Sequence, residues 1–199
     1  MGAEAAAELV VLTDDEGNRI GTAAKASVHH EQTPLHLAFS CYVFDRRRRL
    51  LVSQRALAKP TWPGAWTNSF CGHPAPGEAM EEAVRRRGRQ ELGIDLVDLQ
   101  LALPRFRYEA TMPNGVRENE LCPVYTAITD DEPLADAAEV EELEWVDWVQ
   151  FRDDVVRGMR EISPWCAHQV AELAEREMSP VSFRPASVDE LPPAARGNP

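Results

Sequence analysis

One segment limits the possible folds more than any other: residues 78–92, EAMEEAVRRRGRQEL, with Pro76–Gly77 in front and Gly93 behind. A Pro-Gly pair does not continue a helix from upstream. A glycine placed directly after the last periodic residue supplies the left-handed conformation that closes one. The spacing therefore predicts a helix over Glu78–Leu92 with Met80, Ala83, Val84 and Leu92 on its buried side. Ala83, Arg87 and Glu91 recur at four-residue intervals and share one stripe. An arginine and a glutamate on a stripe that begins at alanine are out of place in a helix whose only task is packing. Gly88 costs about 1 kcal/mol relative to alanine in a helix interior, so close packing or a short approach is expected there.

The chain on either side of this helix reads mainly as strand. Residues 8–12 form a first strand, followed by the turn Asp14–Asn18. The apolar, aromatic run Leu35–Phe44 reads as a buried strand that pairs with Leu50–Val52 across the charged turn Asp45–Arg49. Phe106–Ala110 and Leu121–Ile128 flank the MPNG turn, with Arg117–Glu120 leading into the second. Helices follow near Phe151–Arg160 and His168–Met178, interrupted by Ser163–Trp165. The last twenty residues contain five prolines and read as a loose tail. Strands around one strong helix give an α/β (α+β) domain over residues 1–178, with its core at about 35–150 and a flexible tail at 179–199.

Composition excludes some functions. A net charge of -12 argues against nonspecific nucleic-acid binding, which neutralises many phosphates. No apolar run is long enough to span a membrane, and the N-terminus lacks the basic residues of a secretory signal, so a cytoplasmic protein is expected. The imbalance is local: nine acids and no basic residue lie between Asp130 and Asp147, the pattern of a solvated loop and helix rim. Lys25 and Lys59 are the only lysines among 21 basic residues. They are either remnants of an arginine-biased composition or places where a compact ammonium is needed.

Several residues can carry chemistry. His29, His30, His36 and His73 fall within one 45-residue window, and imidazole with carboxylate suits divalent metals. Glu118 and Glu120 project to one face of a strand, where a metal or a shared proton relieves their repulsion; an exposed strand start is the plain alternative. Cys71 follows a loop and precedes Gly72 and His73, a setting in which a thiol can exchange protons. Lys59–Asn68, KPTWPGAWTN, is too rich in Pro and Gly for a helix and carries two large aromatics, either a pocket wall or core packing.

The framework Gly72, Glu78, Arg86, Glu91, Gly93 and Ile94 resembles the Nudix box, but Arg87 and Gln90 stand where that box carries acids. Loss of those acids removes metal ligands that a Nudix diphosphohydrolase uses. The departure, with LHLAFS at 35–40, SQRALAKPTWPGAWTNSFCGHP at 53–74, YEA at 108–110, ENELCPVY at 118–125 and SPW at 163–165, resembles the type 1 isopentenyl-diphosphate isomerases. The resemblance spans about residues 9–165. It implies a Nudix-like mixed β-sheet core flanked by helices, with N- and C-terminal additions, and the interconversion of isopentenyl and dimethylallyl diphosphate.

The same resemblance implies roles for single residues. Cys71 and Glu120 match the proton-transfer pair, Tyr108 the tyrosine beside the glutamate, and Trp165 the aromatic facing the hydrocarbon. His29, His36, His73, Glu118 and Glu120 match a metal site for Mn²⁺, Mg²⁺ or Zn²⁺. Glu91 matches the carboxylate that holds a Mg²⁺ on the diphosphate, and Lys25, Arg55, Lys59 and Arg87 match its basic contacts. His30 finds no role. The implied partner is a small prenyl diphosphate, with no nucleic acid or membrane, and the oligomeric state stays open. A Nudix diphosphohydrolase and a nonenzymatic metal-binding domain are the rival readings.

Overall fold

The computed structural model describes residues 8–176 and 184–196. Its first sheet contains β1 (Leu9–Thr13), β2 (Arg19–Ala24), β3 (His36–Leu37), and the hairpin β9 (Arg107–Thr111) and β10 (Arg117–Leu121). These lie in the order β2-β1-β3-β10-β9. A second sheet is built from β4 (Phe39–Phe44), β5 (Arg49–Arg55), β8 (Val97–Leu103), β11 (Val124–Ile128) and β12 (Val140–Asp147). Their order is β12-β5-β4-β11-β8, with the short β6 (Trp66–Thr67) on β5 and β7 (Phe70–Gly72) on β4. Three helices, α1 (Met80–Leu92), α2 (Trp148–Val156) and α3 (Pro164–Glu175), complete the fold.

Two runs expected to be single strands each serve both sheets. Leu35–Phe44 divides at Ala38 into β3 and β4, and Arg117–Ile128 divides at Cys122–Pro123 into β10 and β11. Pro123 has no N–H to give a ladder, which is a physical reason for the second break. The two runs lie parallel throughout, β3 on β10 and β4 on β11, bridged where Ala38 N–H donates to Leu121 O at 2.9 Å and Ser40 N–H to Pro123 O at 3.1 Å. This parallel pair ties the sheets into one body.

Helix α1 follows the expected pattern, burying Met80, Ala83, Val84, Arg87, Gly88, Glu91 and Leu92, and Gly93 closes it at φ 64°. Gly88 packs on Phe70 and Leu96, where a Cβ would meet their side chains at 3.4 and 3.5 Å. Its missing side chain is thus matched by close packing, as expected. Ser163–Trp165 does not interrupt a helix but begins α3: Pro164 occupies the first turn, where its missing N–H costs nothing. The expected end at Met178 lies outside the described residues.

Other readings change as well. The acidic stretch contains the edge strand β12, whose Glu141 and Glu142 face solvent while Val140 and Val146 are buried. Strand β8, VDLQLAL, was not singled out, although its apolar and polar residues alternate; its first half is largely exposed and its second half buried. The described part of the segment expected as a flexible tail, 184–196 of 179–199, packs against the core. Leu191 and Ala195 are 2% and 4% exposed within the core around β1 and α1. Ala186 N–H donates to Leu101 O and Ala194 N–H to Gly17 O, at 2.8 and 2.9 Å. Two apolar side chains between prolines are enough to dock the segment. Among the described residues no helix is long and apolar enough to cross a membrane.

Candidate active site

Strand register brings His36, Glu120 and Tyr108 into one line across β3, β10 and β9. His73 follows directly after β7, and His29 lies in the loop after Lys25–Ser27, a short 3-10 turn. Their Nε2 atoms converge on one oxygen, Glu120 Oε1, at 3.2 Å from His73, 3.5 Å from His36 and 3.8 Å from His29. Glu118 projects to the same face of β10 and is buried like Glu120. It lies outside this group of four but accepts from Tyr108 O–H at 2.9 Å; the same hydroxyl is 3.0 Å from Glu120 Oε2.

The protonation pattern decides what this cluster is built to hold. His36 donates Nδ1–H to Pro34 O at 2.9 Å, and its Nε2 faces a carboxylate oxygen at 3.5 Å. Neither His36 Nε2 nor His29 Nε2 has a hydrogen-bond partner, although both atoms are buried. Burial drives the His73 imidazole down to about 4, against the pull of Glu120, so it is neutral near pH 7. Burial lowers His36 too, but Glu120 outweighs it and raises that imidazole. Three imidazole nitrogens converging on one carboxylate oxygen, two of them buried without a hydrogen-bond partner, are the donors a divalent ion takes. The described residues therefore fit a divalent metal at His29, His36, His73 and Glu120.

The two members of the expected proton-transfer pair have opposite electrostatic settings. Burial and the nearby Glu120 push the Cys71 thiol up to about 12, outweighing the hydrogen bonds to Ser40 and Asn68, so it keeps its proton. Burial also acts to raise Glu120, but the three imidazoles hold it well below the ordinary carboxylate range. Burial and the charge on Glu120 raise Glu118.

The TNS segment before Cys71 is buried and polar for a reason. Ser69 Oγ donates to Leu51 O and accepts from Val43 N–H, at 2.6 and 2.7 Å. Asn68 spends its Nδ2 on Cys41 O and Phe70 O, at 3.0 and 2.8 Å. That fixes Asn68 Oδ1 toward Cys71 Sγ at 3.4 Å and the Trp165 indole N–H at 3.1 Å. One amide oxygen thus holds both the thiol and the aromatic of the site.

Cys71, Tyr108, Glu118, Glu120 and Trp165 line a cavity of about 530 Å³ that His29 and His73 also reach. Lys25, Arg55, Lys59, Arg87 and Glu91 line the same cavity, whereas His36 is fully buried behind it. The cations are paired inside the protein. Lys25 meets Glu8 at 2.6 Å, Lys59 meets Glu139, and Arg87 bonds Glu91 and lies 3.5 Å from Glu139. Arg55 grips Thr61 O with Nη2 at 2.8 Å and lies 5.7 Å over the Trp165 ring. His30 is exposed and outside the cluster.

Sequence reasoning did not single out Glu139, Asn68, Ser40 or Gln169. Ser40 within an apolar strand and Gln169 on the buried side of a helix are polar residues in apolar stripes, a signal that was available. Glu139 offered none, being one acid among nine.

Arg86 clamps Glu78 with two bonds of 2.7 and 2.8 Å and reaches His73 O at 3.2 Å, fastening the loop after β7 to α1. A β-strand with that loop and helix, beside two sheets, defines a Nudix fold, and the NUDIX domain model matches residues 34–166. A Deinococcus radiodurans protein superposes with TM-score 0.64 at 19% identity, covering 83% of this chain and 98% of its own. The MutT protein of Methanosarcina mazei gives TM-score 0.59 at 15% identity over 74% of this chain and 99% of its own. Those likenesses concern the fold. Within it, the chain belongs to the isopentenyl-diphosphate Delta-isomerases. It is 56% identical over 188 residues to the Saccharopolyspora erythraea isopentenyl-diphosphate Delta-isomerase, covering 94% of this chain and 97% of the relative. The Rhizobium rhizogenes isomerase is 46% identical, over 95% of this chain and 91% of its own.

Proposed function

We propose that this chain interconverts isopentenyl diphosphate and dimethylallyl diphosphate, with Cys71 donating a proton to the alkene and Glu120 removing one from the allylic position. The observation that carries this reading is a thiol and a carboxylate that line one cavity, with burial favouring retention of the Cys71 proton and the neighbouring imidazoles favouring loss of the Glu120 proton. In this reading Cys71 is the acid at rest and Glu120 the base, and the roles exchange in the reverse direction. No electrons enter or leave, so no redox cofactor is required.

Protonation leaves positive charge at a tertiary carbon. Trp165 offers a neutral aromatic face buried at 2% exposure, worth about 0.5–2 kcal/mol in a cation–π contact. Tyr108 hydrogen-bonds the carboxylates from the other side of that aromatic pair, its ring centroid 5.9 Å from Trp165. Lys25, Arg55, Lys59 and Arg87 bind the diphosphate, exchanging their internal partners for phosphate oxygens, and Glu91 would hold a Mg²⁺ that offsets phosphate charge. His29, His36, His73 and Glu120, with Glu118 as a further ligand, would hold a divalent ion, which when bound would supply fixed positive charge beside the Glu120 carboxylate.

Incubating the metal-stripped protein with isopentenyl diphosphate, restoring Mg²⁺, Mn²⁺ and Zn²⁺ in turn, tests the reading. Dimethylallyl diphosphate is the expected product; release of phosphate without it would establish the diphosphohydrolase instead. Cys71→Ala retains diphosphate binding and loses about 10²–10⁴-fold in turnover, the contribution of a positioned acid. Glu120→Gln loses both turnover and bound metal. Normal isomerisation by Cys71→Ala would end the assignment of the acid.

A further inference from the structure

Behind Cys71 lies a polar chain that the reaction above leaves unused. Ser40 stands opposite Cys71 in the β4–β7 register and is fully buried, with its Oγ 3.3 Å from Cys71 Sγ. Gln169 of α3, 0% exposed, places Nε2 2.9 Å from Ser40 Oγ. Tyr42, also fully buried, donates its hydroxyl to Gln169 Oε1 at 3.0 Å.

The direction of these bonds follows from the donors available. The Tyr42 proton has a carbonyl oxygen at 3.0 Å and a thiol sulfur, Cys166 Sγ, at 3.5 Å, and the oxygen is the stronger acceptor. With Gln169 Oε1 so occupied, its amide N–H points at Ser40 Oγ. Ser40 therefore accepts from Gln169 and has one proton left, with Cys71 Sγ and Cys122 Sγ as the sulfurs in reach, at 3.3 and 3.4 Å. Cys71 directs its own S–H at Asn68 Oδ1. Apolar side chains at 40, 42 and 169 would fill this part of the core equally well; the polar chain adds direction.

We propose that Ser40, held by Gln169 and Tyr42, is a positioning residue that aims the Cys71 sulfur and donates a hydrogen bond to it as its proton leaves. The proton passes from sulfur to the alkene carbon, the electron pair stays on sulfur, and the Ser40 O–H faces the anion that forms. Asn68 serves the thiol and Ser40 the thiolate. The inference rests on Cys71 being the proton donor of the proposed isomerase.

The test compares Ser40→Ala and Ser40→Thr with Cys71→Ala in the full-length, metal-loaded protein. Ser40→Ala is expected to lower kcat about tenfold to hundredfold, the worth of a hydrogen bond to a charged acceptor, with KM within twofold. Its Cys71 S–H infrared stretching band, identified by its loss in Cys71→Ala, moves to higher frequency. Ser40→Thr retains the hydroxyl and is expected to recover most of kcat and the parental band. If Ser40→Ala does not fold, Gln169→Met, which removes the donor that orients Ser40, is read in the same way and must lower kcat without raising KM. Parental kcat in the alanine variant beside an inactive Cys71→Ala overturns the inference alone. Equal losses in Ser40→Ala and Ser40→Thr with an unmoved band show mere packing damage and overturn it too. An active Cys71→Ala instead overturns the reading on which it rests.

Discussion

His36 Nε2 faces Glu120 Oε1 across 3.5 Å, while Nδ1 on the other side of the ring donates to Pro34 O. A ring nitrogen with no hydrogen-bond partner in a fully buried position is a cost that a bound cation would convert into a gain. Removing the metal should therefore lower thermal stability. For an ion present at about a hundredfold its Kd the effect is ~2.7 kcal/mol, or about 5–10 °C in a chain of this size. Melting with and without chelator, alongside metal analysis, measures it. His36→Ala should abolish the difference; a variant that still responds fully would exclude this site as the ion's location.

Glu78 and Arg86 give a pH-dependent contribution whose sign follows from the direction of the shift. The guanidinium beside Glu78 is the largest influence on its carboxyl and holds it below the ordinary 4.5, burial opposing. A carboxyl depressed in the folded state adds stability above its unfolded pKa, and that stability is lost as pH falls through the folded value. Arg86 is about one-third exposed, which screens the pair, so Glu78→Gln should cost about 1 kcal/mol at pH 7. The variant and parent should converge as the pH drops below the folded value. Urea denaturation at pH 7 and at successively lower pH gives both numbers, and a constant gap would refute the linkage.

Lys59 and Glu139 predict a separation of binding from stability. Lys59→Ala removes a phosphate contact and leaves Glu139 half-buried beside Glu91, with Arg87 and Lys25 as the cations that still act on it. Pyrophosphate affinity should fall about tenfold, while adding Glu139→Gln recovers stability but not affinity. Calorimetric titration of both variants distinguishes these effects. Unchanged affinity for Lys59→Ala would remove it from the diphosphate site.

How much of this was legible in sequence depends on the range of the interaction. Helix α1 could be read because its caps and its period are local, and Arg87 and Glu91 stood out against that period. The family match brought Cys71, Glu120, Tyr108 and the histidines to notice, yet their convergence rests on register. His36, Glu120 and Tyr108 align across three strands far apart in the chain. The division of Leu35–Phe44 between sheets was hidden, because burial on both faces erases the alternation that marks a strand's sides, whereas Pro123 was a visible break in Arg117–Ile128. Ser163–Pro164 was misread for the opposite reason: proline stops a helix from one side and starts it from the other. The docking of Leu191 and Ala195 involves too few residues to form a pattern at all.

Gly72 joins the fold to the chemistry. A Cβ built there would lie 2.8 Å from Arg87 Cγ and 2.8 Å from Phe39 Cζ, and Phe39 is fully buried and cannot yield. Gly72→Ala must therefore push β7 away from β4 or shift the Arg87 stem on α1. Overpacking of this kind costs about 1–3 kcal/mol. The loss of activity should exceed what that cost suggests, because Cys71 and His73 flank the glycine and Arg87 lines the same cavity. A displacement of even 1 Å in such a site can cost about a hundredfold in rate. Kinetics at a temperature where the variant is fully folded by circular dichroism should show kcat and KM both impaired. If only stability changed, the close approach of β7 to α1 would be a packing detail rather than the element that sets the distance between Cys71 and the cations.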